Sequence, residues 1–398
     1  MQDNQLKKKI IVSGIWFIYF CFGFSVASLS PLVHHITIDL SISYKKMGII
    51  LGSWQFVYVL FAIPAGYILD RIAFKNTLFI ASIIMSLSLI FRSLSENFNQ
   101  LLFAVALFGL GGSLISVGVS KVTSVYFKGK SRAVIMGILM TAPPLGAIIC
   151  LAITSTIFLP IYDNDWRGII FIYGFLPIIA GTLWFILNIL YNLSYDPKNQ
   201  LVSIKQQIVL LKSFLTNRRI LLTLLLAISA FYLNHGLANW MPKILISKGI
   251  AVPSASLFAT IPVIIGILSA LTIPRIAIGR ARFYIIIILF LNAAFSVFLI
   301  QNDLGIFLIT GLILLGITWG PLIAILLTHL TETRIIKSKQ AGLAGGLFFT
   351  MAEIGGIIGP ISIGIIYDYY NNFNYALGFY SLILIVMIIP VMFLKKLN

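Results

Sequence analysis

The chain has 398 residues, of which 60% are hydrophobic and only 10% charged, and its mean hydropathy is +1.04. A soluble domain is about 45–50% apolar and about 25% charged, so this composition excludes a single aqueous core and makes lipid the solvent for most of the chain. The net charge of +17 would point to nucleic acid in a soluble protein, but no basic stretch is interleaved with aromatics as such a surface requires; in a membrane chain an excess of Lys and Arg marks cytoplasmic loops.

A spanning helix needs roughly 20 apolar residues. Twelve such runs are predicted, near 10–33, 46–69, 77–95, 99–123, 132–158, 168–191, 219–242, 254–276, 283–301, 303–330, 341–366 and 375–394. The first, LKKKIIVSGIWFIYFCFGF, has the basic start of a signal peptide, but its length and the eleven runs behind it make it a first span. The expected fold is therefore an all-α polytopic membrane protein with twelve transmembrane helices. Cys21 and Cys150 fall inside apolar runs, which leaves no disulfide framework and no cysteine metal site in view. Pro143 and Pro144 should kink the fifth span, because proline removes a backbone donor. His34 and His35 read as residues of a solvated first outer loop.

The polar stretch at 194–218 divides the spans six and six. The expected organisation is an N-terminal six-helix bundle (1–193), a cytoplasmic linker (194–218) and a C-terminal six-helix bundle (219–398). With the N-terminus inside, 21 Lys and Arg fall on inner segments and 6 are assigned to outer loops or the span ends beside them, namely Lys45, Lys46, Arg92, Arg167, Lys243 and Lys248, with Lys121 alone placed inside a span. That bias places both termini in the cytoplasm of a plasma or inner membrane. Span five reads GILMTAPPLGAII from Gly137 and span eleven GLFFTMAEIGGII from Gly346, so that Gly137/Gly346, Thr141/Thr350 and Gly146/Gly355 coincide. Spans six apart with matching glycines suggest parallel repeats, a transporter architecture with the site between the halves.

The loop after span two reads GYILDRIAFKN. It resembles the conserved G-x-L-x-D-R-x-G-R-K loop of the major facilitator superfamily: Gly66, Leu69, Asp70 and Arg71 match, Lys75 is near a basic position, and Ala73 replaces the second glycine. PRIAIGRARF in the second half keeps Gly279 and Arg280 without the aspartate, and WRGIIFIYG, YFKGKSRAVIMGI and span eleven are similar to the same superfamily. The resemblance implies two six-helix bundles around a central cavity, alternating access and a monomer. It also implies a gate at Gly66, Asp70 and Arg71, where Asp70 would latch onto the N-terminus of span eleven. GGSLISVGVSKVTSVYF and NHGLANWMPKIL are similar to cyanate-permease-like and related organic-anion carriers, which implies a small anionic solute.

Within the spans a few polar residues are candidates for the work. Lys121 flanks a small polar face made by Gly109, Ser113, Ser116, Ser120 and Ser124; it can anchor an anion or snorkel to the nearby headgroups. Glu353 is the one acid deep in a span, open to a coupling or substrate role or to a structural one as a protonated carboxyl hydrogen-bonded between helices. Tyr232, His235 and Asn239 share a face of span seven, with Asn234 beside them, and form a candidate substrate-binding group. Tyr58, near Trp54 and Gln55, and Trp319 are further substrate candidates. No Walker loop, dinucleotide fingerprint, zinc spacing or nucleophile elbow is present, so neither an enzyme nor a cofactor is expected, and energy must come from a gradient. The expected function is secondary transport of a small anionic organic solute, with protons as the candidate coupling ion and the lipid bilayer as the surroundings. The alternatives are a drug/proton antiporter exporting amphipathic compounds and a membrane sensor with the same fold.

Overall fold

The computed structural model describes residues 2–127, 129–191, 193, 204–302, 305–333, 335–336 and 340–397, with the side chains of 2–4, 70, 130, 133, 204–208 and 341 outside the description. Twelve helices among these residues are long and apolar enough to cross a membrane. They are α1 (Gln5–Asp39), α2 (Tyr44–Leu69), α3 (Phe74–Ser93), α4 (Phe98–Tyr126), α5 (Val134–Ile161), α6 (Trp166–Leu190), α7 (Arg218–Ser247), α8 (Val252–Arg275), α9 (Ala281–Ile300), α10 (Ile306–Thr331), α11 (Gly342–Tyr370) and α12 (Phe373–Lys396). The all-helical, twelve-span reading of the sequence therefore stands. Part of the expected linker, 194–203, lies outside the described residues; the rest carries a short helix, Ile204–Leu215.

The helix starts follow local chemistry. Side chains of Asn97, Asp165, Asn217 and Asn372 accept bonds from the orphan amides at the starts of α4, α6, α7 and α12. In α5 the helix breaks at Met140 and Thr141 and restarts at Ala142, just ahead of Pro143 and Pro144, which fits the kink expected there. Large apolar side chains such as Ile63, Phe103, Leu190, Ile288 and Phe298 are exposed, as a lipid-facing surface requires.

The chain separates into two compact units, one comprising Met1–Ser41 with Ser53–Leu201 and the other Ile42–Gly52 with Val202–Asn398. In unit 1, α1 packs along α5, and a Cβ added to Gly146 would collide with the Phe20 carbonyl and stand 2.7 Å from the Phe24 amide nitrogen. In unit 2, α7 packs along α11, and a Cβ on Gly355 would collide with the Ile228 carbonyl and stand 2.7 Å from the Tyr232 amide nitrogen. With no hydrophobic drive between helices in lipid, such close backbone approach supplies the packing energy. Short polar side chains add directed bonds: Ser86 donates to the Gly174 carbonyl at 2.6 Å, Ser88 to that of Ala104 at 2.7 Å and Ser269 to that of Gly316 at 3.0 Å.

Three placements differ from the sequence reading. Arg92, assigned to an outer loop, lies in α3 and is 1% exposed. Its Nη1 donates to the Ser25 carbonyl and to Ser28 Oγ, both at 3.1 Å, so the cation serves one carbonyl and one hydroxyl where the long helix of α1 ends. Lys243, also assigned to a loop, is buried in α7 beside the Tyr44 ring. Lys121 is thus not alone in a span. His34 and His35 are half-buried on the helical turn Val33–Asp39 that extends α1, and their rings pack edge to face.

Candidate functional site

In unit 2, α7 and α11 bring together two residues that the sequence singled out separately. His235 Nε2 lies 3.6 Å from Glu353 Oε2, with side-chain exposures of 16% and 9%. The glycine contacts set this meeting: Gly355 seats α11 against Ile228 and Tyr232, and Glu353 and His235 follow within one turn on their helices. Glu353 Oε2 has no hydrogen-bond partner among the described residues. The pair stands just beyond hydrogen-bond length, which leaves Glu353 Oε2 able to take a proton or accept a bond from a small ligand. Phe231 closes one side, its ring 5.4 Å from that of His235, and Phe349 packs on Phe231 at 6.2 Å. In this apolar surround an isolated ion is costly, and two adjacent titratable groups can exchange a proton without exposing charge to lipid.

The neighbours on α7 are more committed. Asn239 donates through Nδ2 to the His235 carbonyl at 2.8 Å, one turn back on its own helix. Tyr232 shares a hydrogen bond with Ser362 at 2.9 Å and stacks on Tyr380 at 4.2 Å, while the Tyr380 hydroxyl donates to the Gly359 carbonyl at 2.7 Å. Tyr232 is therefore tied into the seam of α7, α11 and α12. Asn234 is half-buried. Trp319 on α10 is 6% exposed, and its Nε1 has no hydrogen-bond partner among the described residues.

Unit 1 holds the other candidates. Lys121 Nζ donates to the Gly66 carbonyl at 3.4 Å, so the ammonium reaches the end of α2 that carries the expected gate. Ser116 donates to the Tyr58 hydroxyl at 3.0 Å, which bridges the same two helices further along. The small polar face of α4 is divided: Gly109 sits against the Trp54 and Tyr58 backbone and Ser113 is buried, whereas Ser120 is exposed. Gln55 is fully buried with neither amide atom hydrogen-bonded among the described residues. The Arg71 guanidinium lies 4.0 Å above the Tyr67 ring. The Asp70 side chain, and with it the latch expected there, lies outside the described residues.

Sequence reasoning missed the pairing of His235 with Glu353. The signal was present: with Gly146 and Gly355 equivalent, α7 and α11 can be set in register on the pattern of α1 and α5.

A family profile described as Major Facilitator Superfamily matches residues 15–335. Among curated proteins the chain is 24% identical over 370 residues to the hexuronate transporter of Bacillus subtilis (strain 168), covering 88% of this chain and 86% of that one. It is 23% identical over 381 residues to the nitrite extrusion protein of the same organism, covering 90% and 87%. Among solved structures, the nucleoside transporter NupG superposes with a TM-score of 0.79 at 15% identity, covering 98% of this chain and 99% of that one.

Proposed function

This chain belongs to the major facilitator superfamily and is a multi-pass membrane transporter, and we propose that its cargo is a small organic anion moved by alternating access with protons as the coupling ion. The observation that supports the coupling is the buried His235–Glu353 contact at 3.6 Å, with one carboxyl oxygen lacking a hydrogen-bond partner among the described residues. Glu353 takes and releases the coupling proton, and His235 accepts or donates the neighbouring bond as it does so. Both solutes named by the two curated relatives, hexuronate and nitrite, are anions, which supports an anionic cargo here; hexuronate makes the organic class the first to test.

Lys121 supplies the positive charge for the anion, within reach of the Gly66 carbonyl that it holds in this state. In this reading Asn234, Asn239, Tyr232, Tyr58 and Trp319 complete recognition, and Gly66, Asp70 and Arg71 form the gate. One proton carried with a singly charged anion moves no net charge, so a pH gradient drives the cycle and the membrane potential does not. An uncoupled anion would instead feel about 2.3 kcal/mol per 100 mV. The positive-inside bias supports cytoplasmic termini in a plasma membrane, and the family's usual form supports a monomer.

The test is uptake into proteoliposomes with an imposed pH gradient, using glucuronate, nitrite and a cationic amphiphile as parallel probes. The expected result is saturable glucuronate flux whose half-saturation concentration rises about tenfold in Lys121→Ala. Nitrite flux alone would move the cargo to inorganic anions. Flux of the cationic amphiphile alone, indifferent to Lys121→Ala, would replace this reading with drug efflux.

A further inference from the structure

The loop that joins α8 to α9 in unit 2 alternates in character. Arg275 closes α8, Ile276 and Ile278 are 67% and 69% exposed with Ala277 buried between them, and Gly279 turns the chain at φ +56° into Arg280 and α9. Isoleucines left open on a basic turn are costly in water and suited to the boundary between headgroups and acyl chains. In the first turn of α9 the Tyr284 ring is exposed, and the Lys395 ammonium lies 3.9 Å from its centroid. An aromatic ring paired with a basic side chain is an anchor of the membrane–water interface. This end of unit 2 is the one that the excess of Lys and Arg puts at the inner surface.

Beside the loop lies a cavity of about 330 Å³, lined by Arg275, Gly279 and Arg282 from the loop and α9, and by Ile325, Thr328 and Glu332 from α10 and its end. The Arg282 guanidinium is buried and held in place. Its Nε donates to the Ala277 carbonyl at 3.1 Å and its Nη2 to Glu332 Oε2 at 2.7 Å, and Nη1 lies 3.4 Å from His329 Nδ1. Arg275 is exposed and makes no hydrogen bond or ion pair with the described residues. Glu332 offsets one of the two arginines, so the lining keeps one uncompensated positive charge. One guanidinium already oriented, beside a second that is uncommitted, suits the two free oxygens of a phosphodiester. Basic pockets between helices at the inner surface are where acidic headgroups seat.

We propose that this cavity binds the headgroup of an anionic phospholipid of the phosphatidylglycerol type. Arg275 and Arg282 hold the phosphodiester, and Ile276 and Ile278 lie along the acyl chains. The single negative charge of the lipid meets the single positive charge left on the lining, whereas a zwitterionic headgroup brings no net charge to it.

Native mass spectrometry of the full-length protein in a neutral detergent tests this, with dioctanoyl phosphatidylglycerol, dioctanoyl phosphatidylcholine and inorganic phosphate titrated in parallel. The expected result is one saturable phosphatidylglycerol adduct, with a half-saturation concentration about tenfold below that of phosphatidylcholine, which rises about tenfold in Arg275→Ala. Lys8→Ala removes an exposed cation of unit 1 and none from the cavity, and should move that value less than about twofold. An equal loss in the two variants would mark a general attraction of basic surface for acidic lipid and overturn the site, as would equal binding of the two lipids. Inorganic phosphate bound as tightly as phosphatidylglycerol would overturn the lipid assignment. Arg275→Gln keeps a long polar side chain and carries the test if the alanine variant does not fold. Since no transport is read, failure here leaves the anion reading untouched.

Discussion

The seam of α1 with α5 and the seam of α7 with α11 are built alike, yet they carry different residues. Gly146 meets Phe20 and Phe24 as Gly355 meets Ile228 and Tyr232, down to the same 2.7 Å approach of an added Cβ to an amide nitrogen. In that register Glu353 stands where unit 1 has Pro144, and His235 where unit 1 has Ala27. Unit 1 kinks its helix at the prolines and ties Trp16 to Thr141 at 3.2 Å; unit 2 keeps α11 helical throughout and uses the space for a titratable pair. The glycine packing is repeated and the side chains at these two positions are not, so the halves share a scaffold and differ in the titratable pair it holds.

The comparison breaks most severely at the shared glycines. Gly146→Leu and Gly355→Leu should each remove the folded protein, because the nearest atoms are main chain and cannot yield, and the loss should exceed about 3 kcal/mol in either seam. Size-exclusion profiles and thermal unfolding in detergent would show it; tolerance in one seam but not the other would end the equivalence. A smaller effect is expected at the residue found in unit 2 alone. His235→Ala should raise the half-saturation concentration for the anion about tenfold while leaving the melting temperature near that of the parent, and His235→Gln should recover part of it. Smallest is Tyr380→Phe, which removes the bond to the Gly359 carbonyl and the contact with Ser362 and should cost about 1 kcal/mol of stability with little change in transport.

Much of the fold was legible because its cause is local. Twenty-residue apolar runs, capping residues at their starts and a proline pair inside span five are each visible in the chain itself, and the structure has the twelve helices they imply. What escaped depends on which surfaces meet. Arg92 looked like a loop cation because polar residues follow it, but its role is set by the Ser25 carbonyl, 67 positions away. Glu353 was conspicuous as a lone carboxyl at membrane depth; its nearness to His235 needed the register of α7 on α11. Lys121 was conspicuous for the same reason as Glu353, and only the side-chain path shows that its ammonium ends at the Gly66 carbonyl.

The central claim is that protons couple to transport through the pair found in unit 2, and Glu353→Gln tests it most directly. The measurement is glucuronate counterflow alongside pH-gradient-driven uptake in proteoliposomes carrying a trapped pH dye. The account predicts that the variant exchanges substrate within about threefold of the parent but loses at least about tenfold of its gradient-driven uptake, with no substrate-dependent proton entry. Gradient-driven uptake and proton entry equal to the parent's in Glu353→Gln would contradict it and return Glu353 to a purely structural place between α7 and α11.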